Sequence, residues 1–369
     1  MDRASTLLEL GCELEIKKTS QGDFLKEEVK LIQNHIDKVI FIGGTGRSGS
    51  TLLDLLLGQI NGFFSTGELR FIWDRGFGQN QLCGCGTPFK DCNFWREVAN
   101  EAFGGMDHVD HGRLASLGSS AEARVLRWMS FNRSPNLLTS YEEYFDAYKK
   151  LYRAIKKVTG CETIIDSSKN VAHGYILTNL SDVDIFTAHL TRDSRAVAYS
   201  WKRKKERPEI HWEKQYMSRK WVLKSAGRWN RFNVLAHQLK ATSKQYFFLR
   251  YEDLAINPRD TLSKILTGFE MNLPSFEFLD GNRANLKVCH TVSGNPVRFE
   301  RQDFKIRLDS QWQKDMAGYQ KWLVTLATWP LLIKYGYLDN GHNTRMVVSD
   351  KSSIEQPGLK MGKRGVINH

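Results

Sequence analysis

Lys38-Val39-Ile40-Phe41-Ile42-Gly43-Gly44, then Thr45-Gly46-Arg47-Ser48-Gly49-Ser50, then Thr51 to Leu57 (TLLDLLL), is the stretch on which the fold turns. Four consecutive apolar residues, Val39 to Ile42, predict a strand buried on both faces, because a strand with one wet face would alternate. The glycines end it, and the leucine-rich run that follows predicts a helix laid back on the sheet. Between strand and helix, the backbone N–H groups of Gly46, Arg47, Ser48, Gly49, Ser50 and Thr51 can converge on an anion together with the helix N-terminus. The glycine spacing is that of a nucleoside-triphosphate loop, which needs Lys directly after its second conserved Gly. This chain has Ser50 there. Arg47 is the remaining cation of the loop, placed to neutralise charge on a departing phosphate oxygen.

Outward from this unit, further strand candidates occur at Thr163 to Asp166, Asp184 to Leu190 and Tyr246 to Leu249, separated by segments of helical periodicity. That order predicts an α/β protein with a central parallel sheet flanked by helices. In such sheets, ligands bind beyond the carboxyl ends of the strands. There the chain offers Ser167, Ser168 and Lys169, then Arg192, then Tyr251. A long insertion, about 72–160, has helical runs such as Tyr141 to Lys157 and is expected to cap the site. We expect an N-terminal extension (1–36), one domain (37–340) and a basic, disordered tail (341–369) containing Lys351, Lys360, Lys363 and Arg364.

The chain has 369 residues, 41% hydrophobic and 25% charged, so bulk disorder is excluded, and its formal net charge of +12 points to an anionic ligand. Met1-Asp2-Arg3 followed by Glu9, Glu13 and Glu15 lacks the layout of a secretory signal. Trp322 to Ile333 is broken by Pro330 and is too short for a membrane span, so it is expected to be a buried core helix. With six cysteines and no such signal, reduced thiols in a cytoplasmic protein are expected. Cys83, Cys85 and Cys92 form a cluster, but three ligands at irregular spacing fall short of the four a zinc site needs. No metal is therefore expected. Trp201-Lys202-Arg203-Lys204-Lys205, with Arg207, is read as a solvated face or a funnel for an acidic ligand rather than a nucleic-acid surface. Trp221, Trp229 and Phe232 are expected in the core. No segment signals an oligomeric state.

Arg47-Ser48-Gly49-Ser50-Thr51-Leu52 resembles the 5′-phosphosulfate loop of sulfotransferases that use 3′-phosphoadenosine 5′-phosphosulfate (PAPS), in their carbohydrate and tyrosylprotein branches. Thr191-Arg192-Asp193-Ser194-Arg195-Ala196, with Ser200, resembles the 3′-phosphate motif of the same family, and Arg250-Tyr251-Glu252-Asp253-Leu254 is similar to another strand-end motif. His290 to Arg298 (HTVSGNPVR) looks like the nucleotide-covering loop of bacterial members, and Cys83 to Trp95 resembles a cysteine element found in them. Ser65-Thr66-Gly67-Glu68 is similar to the family's Gly-Glu element. The motifs span roughly residues 38–336.

The resemblance implies a phosphate-loop fold with PAPS as donor and no metal. It implies that Arg192 and Ser200 hold the 3′-phosphate, that Tyr251 lies near the adenine, and that Ser293, Asn295 and Arg298 are further ligands. Glu68 would be the general base, with His173 and His189 in reserve, and Lys169 a second cation. The acceptor would be a hydroxyl of a carbohydrate, lipid, peptide tyrosine or small natural product. Sulfuryl transfer needs a base, cations on the leaving phosphate and in-line positioning. The competing readings are an ATP-dependent kinase, which the missing loop Lys disfavours, and a non-enzymatic polyanion-binding protein, which the charge alone motivates.

Overall fold

A computed structural model describes residues 36–131 and 140–338. The expected N-terminal extension, up to residue 35, and the expected basic tail lie outside the described residues. Five parallel strands form the central sheet: β1 (Ile36–Gly44), β2 (Phe63–Ser65), β3 (Thr163–Lys169), β4 (Val183–Thr191) and β5 (Gln245–Arg250), in the order β2-β3-β1-β4-β5. The four strand candidates are all present, one to three residues longer at one or both ends. The fifth strand, β2, pairs Phe63 with Thr163 and Ser65 with Ile165. Three residues are too few to show a period, so this strand is set by its neighbour rather than by its own pattern.

Alternate residues of β1 point to opposite faces, and each face has its own core. Val39 and Phe41 join Ile164 and the aromatic helix Glu142–Thr159, whose Tyr144, Tyr148 and Tyr152 recur at one-turn spacing and are buried. Ile40 and Ile42 join Ile165, the helix Ser50–Leu57 and the helix Pro258–Gly268. Most of the 72–160 insertion is thus a layer on the first face. A separate three-stranded antiparallel sheet, built from Leu279–Asp280, Arg283–Ala284 and Phe304–Lys305, lies after β5 in the chain.

Two expectations are corrected. Trp322 to Ile333 does form a helix, within Gly318–Lys334, but it is half-exposed. Val324, Thr328 and Leu332 are buried while Trp322, Leu326, Trp329 and Ile333 face outward. The apolar residues surround the helix, and only one stripe finds a neighbour. Trp221 is likewise exposed, whereas Trp229 and Phe232 are in the core. No described helix is long and apolar enough to cross a membrane.

The carboxyl ends of β1 and β4 pair in register through Gly44 and Leu190. Gly44 has φ 139°, and a Cβ there would lie 2.2 Å from the Leu190 carbonyl oxygen. Gly44→Ala should therefore cost about 3 kcal/mol. Gly227→Ala, on an exposed helical turn with open space around it, should gain about 0.5–1 kcal/mol. Urea denaturation of both variants checks this, and equal effects would contradict it.

Candidate active site

The chain order reverses around β1, which lies between β3 and β4, and the loop after β1 opens into a cleft of about 590 Å³ at the carboxyl ends of the strands. The helix that begins at Ser50 has no side-chain cap, and Gly49 precedes it in the left-handed conformation. Its first-turn N–H groups therefore remain for a ligand. Close packing explains the glycines. A Cβ on Gly46 would meet the Trp201 ring at 3.0 Å, and one on Gly49 would meet the Tyr251 ring at 2.3 Å. Arg47 itself has φ 75°, a strained value for a residue with a side chain. Its guanidinium lies 5.0 Å from the centre of the Trp201 ring.

Arg192, at the end of β4, approaches this loop directly. Its Nη1 donates to the Arg47 carbonyl oxygen at 3.4 Å, its Nη2 donates to the Asp309 carbonyl oxygen at 2.9 Å, and its plane lies over the Tyr251 ring at 4.5 Å. Trp229 Nε1 bonds the Arg192 carbonyl at 2.9 Å, which ties the strand end to the core. The buried Nε of Arg192 has no partner among the described residues. Ser200, two turns along the next helix, also lines the cleft. The N–H groups at the start of that helix are partly used, because the Asp193 carboxylate accepts from Arg195 N at 2.8 Å.

Glu68 is held from both sides by backbone. Thr66 N bonds Ile165 O at 3.0 Å, Ser167 N bonds Gly67 O at 2.8 Å, and Glu68 N bonds Val292 O at 2.7 Å. Gly67 must be glycine, since a Cβ would lie 2.6 Å from the Val292 oxygen. The Glu68 carboxylate is 10% exposed and accepts from Lys169 Nζ. Lys169 reaches it from a backbone with φ 64° at the end of β3. There Asp166 Oδ1 accepts from Ser168 N at 2.9 Å and shapes the turn.

Glu68, Lys169, Arg192, Ser200, Tyr251 and Asn295 line one cleft with Gly46, Arg47, Gly49, Ser50 and Thr51. Three other candidates do not reach its wall. Ser48 is buried with its hydroxyl 2.8 Å from that of Thr45, Ser293 accepts from Arg75, and Arg298 donates to the carbonyls of Thr291 and Leu82. The Arg298 guanidinium thus clamps the 290–298 segment. The reserve histidines are also off the cleft and fully buried. His189 bonds Tyr246 and Asn233, and burial lowers its pKa to about 3.

Sequence reading missed Arg75, Arg228, Arg307, Asp309 and Met217, all of which line the cleft from segments without a motif. In all, twelve lysines and arginines face it against Glu68, Glu209 and Asp309. Burial and then the neighbouring charges lower the amines here: Lys205 is lowered by burial and then by Arg47 and Arg203. Lys220, which stacks on the cleft residue Trp201 without lining the cleft itself, is brought down to about 8 by burial, Arg228 and Arg47. Such a site is built for a ligand with several negative charges. A smaller hollow of about 310 Å³ adjoins it, sharing Arg70 and Phe71, and reaches Glu122 and Tyr144.

A family model described as Sulfotransferase family matches residues 39–275. No curated protein matches the chain in a sequence search. Among solved structures, the sulfotransferase domain from the curacin biosynthetic pathway is similar at 15% identity and TM-score 0.46, over 82% of this chain and 98% of that one. Sulfotransferase STF9 from Mycobacterium avium is similar at 12% identity and TM-score 0.38, over 69% of each chain. Sulfotransferase STF1 from Mycobacterium tuberculosis H37Rv is similar at 15% identity and TM-score 0.37, over 69% of this chain and 73% of that one.

Asp54, on the helix that follows the phosphate loop, is 1% exposed, and burial, reinforced by the Asp166 and Glu68 carboxylates, pushes its carboxyl up to about 8. The unfolded value is about 3.9. Folding therefore takes up a proton between these values, and the resulting stability is full below about pH 4 and lost as pH rises through about 8. Asp54→Asn should remove that slope, gaining on the wild type between pH 5 and pH 8 in urea denaturation. A difference constant with pH would contradict it.

Proposed function

The chain belongs to the sulfotransferase family, matched over residues 39–275, and on that premise we propose an in-line transfer from PAPS with Glu68 as the general base. In this reading residues 37–340 act as one catalytic domain. The N–H groups of the Gly46–Thr51 loop and the Arg47 guanidinium hold the 5′-phosphosulfate. Arg192 and Ser200 hold the 3′-phosphate, and Tyr251 supports both by packing beneath Gly49 and Arg192. Asn295 closes the loop side, its N–H bonding Thr51 Oγ1 at 3.2 Å while its side chain accepts from Lys205 Nζ at 2.6 Å.

Glu68 takes the proton of the acceptor hydroxyl as its oxygen attacks sulfur. The bond from sulfur to the bridging phosphate oxygen breaks, and its electron pair stays on that oxygen, where Arg47 and Lys169 offset the growing charge. The products are a sulfate ester and 3′-phosphoadenosine 5′-phosphate. Lys169 pairs with the Glu68 carboxylate in the free enzyme and so holds it in place at the edge of the donor cleft. The acceptor enters through the hollow that shares Arg70 and Phe71 with the donor cleft.

The observation that carries this reading is the contact between Arg192 and the Arg47 carbonyl. It brings the two arginines expected at opposite ends of one nucleotide onto a common wall. A kinase reading has no loop lysine to support it, and a polyanion-binding surface does not call for a concave site with a buried carboxylate at its centre.

Three measurements test the proposal. Glu68→Gln should lower turnover by about 10²–10⁴ while binding of the bisphosphate product stays near wild type. Retained turnover would remove Glu68 from the role. Arg192→Ala should weaken bisphosphate binding about 10-fold or more by calorimetry, and unchanged affinity would dismiss that assignment. In thermal shift, the bisphosphate should raise Tm more than ATP with magnesium does. The opposite ranking would favour the kinase.

A further inference from the structure

Outside the donor cleft, four side chains of metal-binding type meet at one point. Cys83, Cys85 and Cys92 belong to one short loop, and His290 joins them from 198 residues beyond Cys92. Their ligand atoms all lie within 4.8 Å of one another. Cys92 Sγ is 3.7 Å from the Sγ of both Cys83 and Cys85, and His290 Nδ1 is 3.3 Å from Cys92 Sγ and 3.7 Å from Cys83 Sγ. A disulfide would require about 2.05 Å, and all three cysteines are free thiols. A zinc ion bound tetrahedrally, at about 2.3 Å to sulfur and about 2.05 Å to nitrogen, sets edges of about 3.8 Å between sulfurs and about 3.6 Å between sulfur and nitrogen. Four of the six edges, at 3.3–3.7 Å, fit that tetrahedron, and the other two, Cys83–Cys85 and Cys85–His290, lie within 4.8 Å.

The backbone around the cluster is built for this meeting. Cys83 N bonds Thr87 O at 2.8 Å and Gly86 N bonds Cys83 O at 2.8 Å, which folds the loop into a tight knuckle with Gly86 at φ 92°. A Cβ on Gly84 would lie 2.4 Å from both the Cys289 carbonyl oxygen and the Thr291 hydroxyl, and Gly84 N bonds Thr291 O at 3.0 Å. The knuckle therefore lies backbone against backbone on the segment that contains His290. Phe94 stacks on the His290 ring at 4.9 Å and fixes its plane.

We propose that Cys83, Cys85, Cys92 and His290, the last through Nδ1, hold a structural Zn²⁺. Four protein ligands leave no open position for water or substrate, as in closed structural sites, and three thiolates with one imidazole select zinc over hard cations. His290 is the fourth ligand that a sequence reading of the three cysteines alone lacked. Two residues beyond His290, Val292 bonds backbone on both sides of Gly67, through Val292 N to Thr66 O at 2.8 Å and Glu68 N to Val292 O. The ion thus staples the segment that positions Glu68 and Asn295. It stands on its own ligands, whether or not Glu68 is the base.

The test uses the full chain, expressed with zinc in the medium and kept reduced. Mass spectrometry of the desalted protein should find about one zinc per chain, and chelation should lower Tm by about 5 °C or more. Co²⁺ in place of zinc should give intense tetrahedral and thiolate charge-transfer absorption. Cys92→Ser and His290→Ala should each lose the metal, while His290→Cys, which keeps four ligands, should retain it. A wild-type chain that is free of zinc and gives no thiolate–cobalt absorption would overturn the proposal, as would full zinc in both ligand-deleting variants. Should those variants fail to fold, the wild-type cobalt spectrum decides alone.

Discussion

The close approach of backbone to backbone at the carboxyl end of β1 is the constraint on which the site depends. Gly44 lies against the Leu190 carbonyl and Gly49 against the Tyr251 ring at distances no Cβ would allow. Those two contacts seat the phosphate loop directly on the ends of β4 and β5. Arg192 can then reach the Arg47 carbonyl, and the two arginines face one volume instead of two. A side chain at either glycine would lift the loop and separate Arg47 from Arg192.

The same closeness concentrates charge. Twelve cations around a cleft with three carboxylates repel one another, and Lys205, lowered first by burial and then by Arg47 and Arg203, registers part of that repulsion. A ligand with several negative charges relieves it, so donor binding and stability are coupled. Glu68 is held in this surrounding by its ion pair with Lys169 and by backbone bonds between β3 and the 290–298 segment. Its position is thus set by three separate parts of the chain.

Strand β1 was legible as an unbroken apolar run and β3, β4 and β5 as shorter, mainly apolar or aromatic stretches, and the residues just past them were legible as site candidates because ligands collect at strand ends. The short β2 was not, since its pairing with β3 rather than its own pattern makes it a strand. Ser293 and Arg298 looked like ligands from a motif, yet hydrogen bonds to Arg75 and to the Thr291 and Leu82 carbonyls turn them inward. Arg75, Arg228 and Arg307 had no local signal, because only the fold brings them to the cleft. His290 sat in a recognised segment, but nothing in linear order ties it to cysteines of which the nearest, Cys92, is 198 residues away. The helix Gly318–Lys334 misled because its apolar residues surround it while only one stripe is covered.

A crystal structure with 3′-phosphoadenosine 5′-phosphate tests the central claim most directly. The 5′-phosphate should accept from the N–H groups of the Gly46–Thr51 loop, and the 3′-phosphate should lie on Arg192 and Ser200 in the same cleft. A nucleotide bound elsewhere, or one that touches the loop while its 3′-phosphate is far from Arg192, would contradict the account.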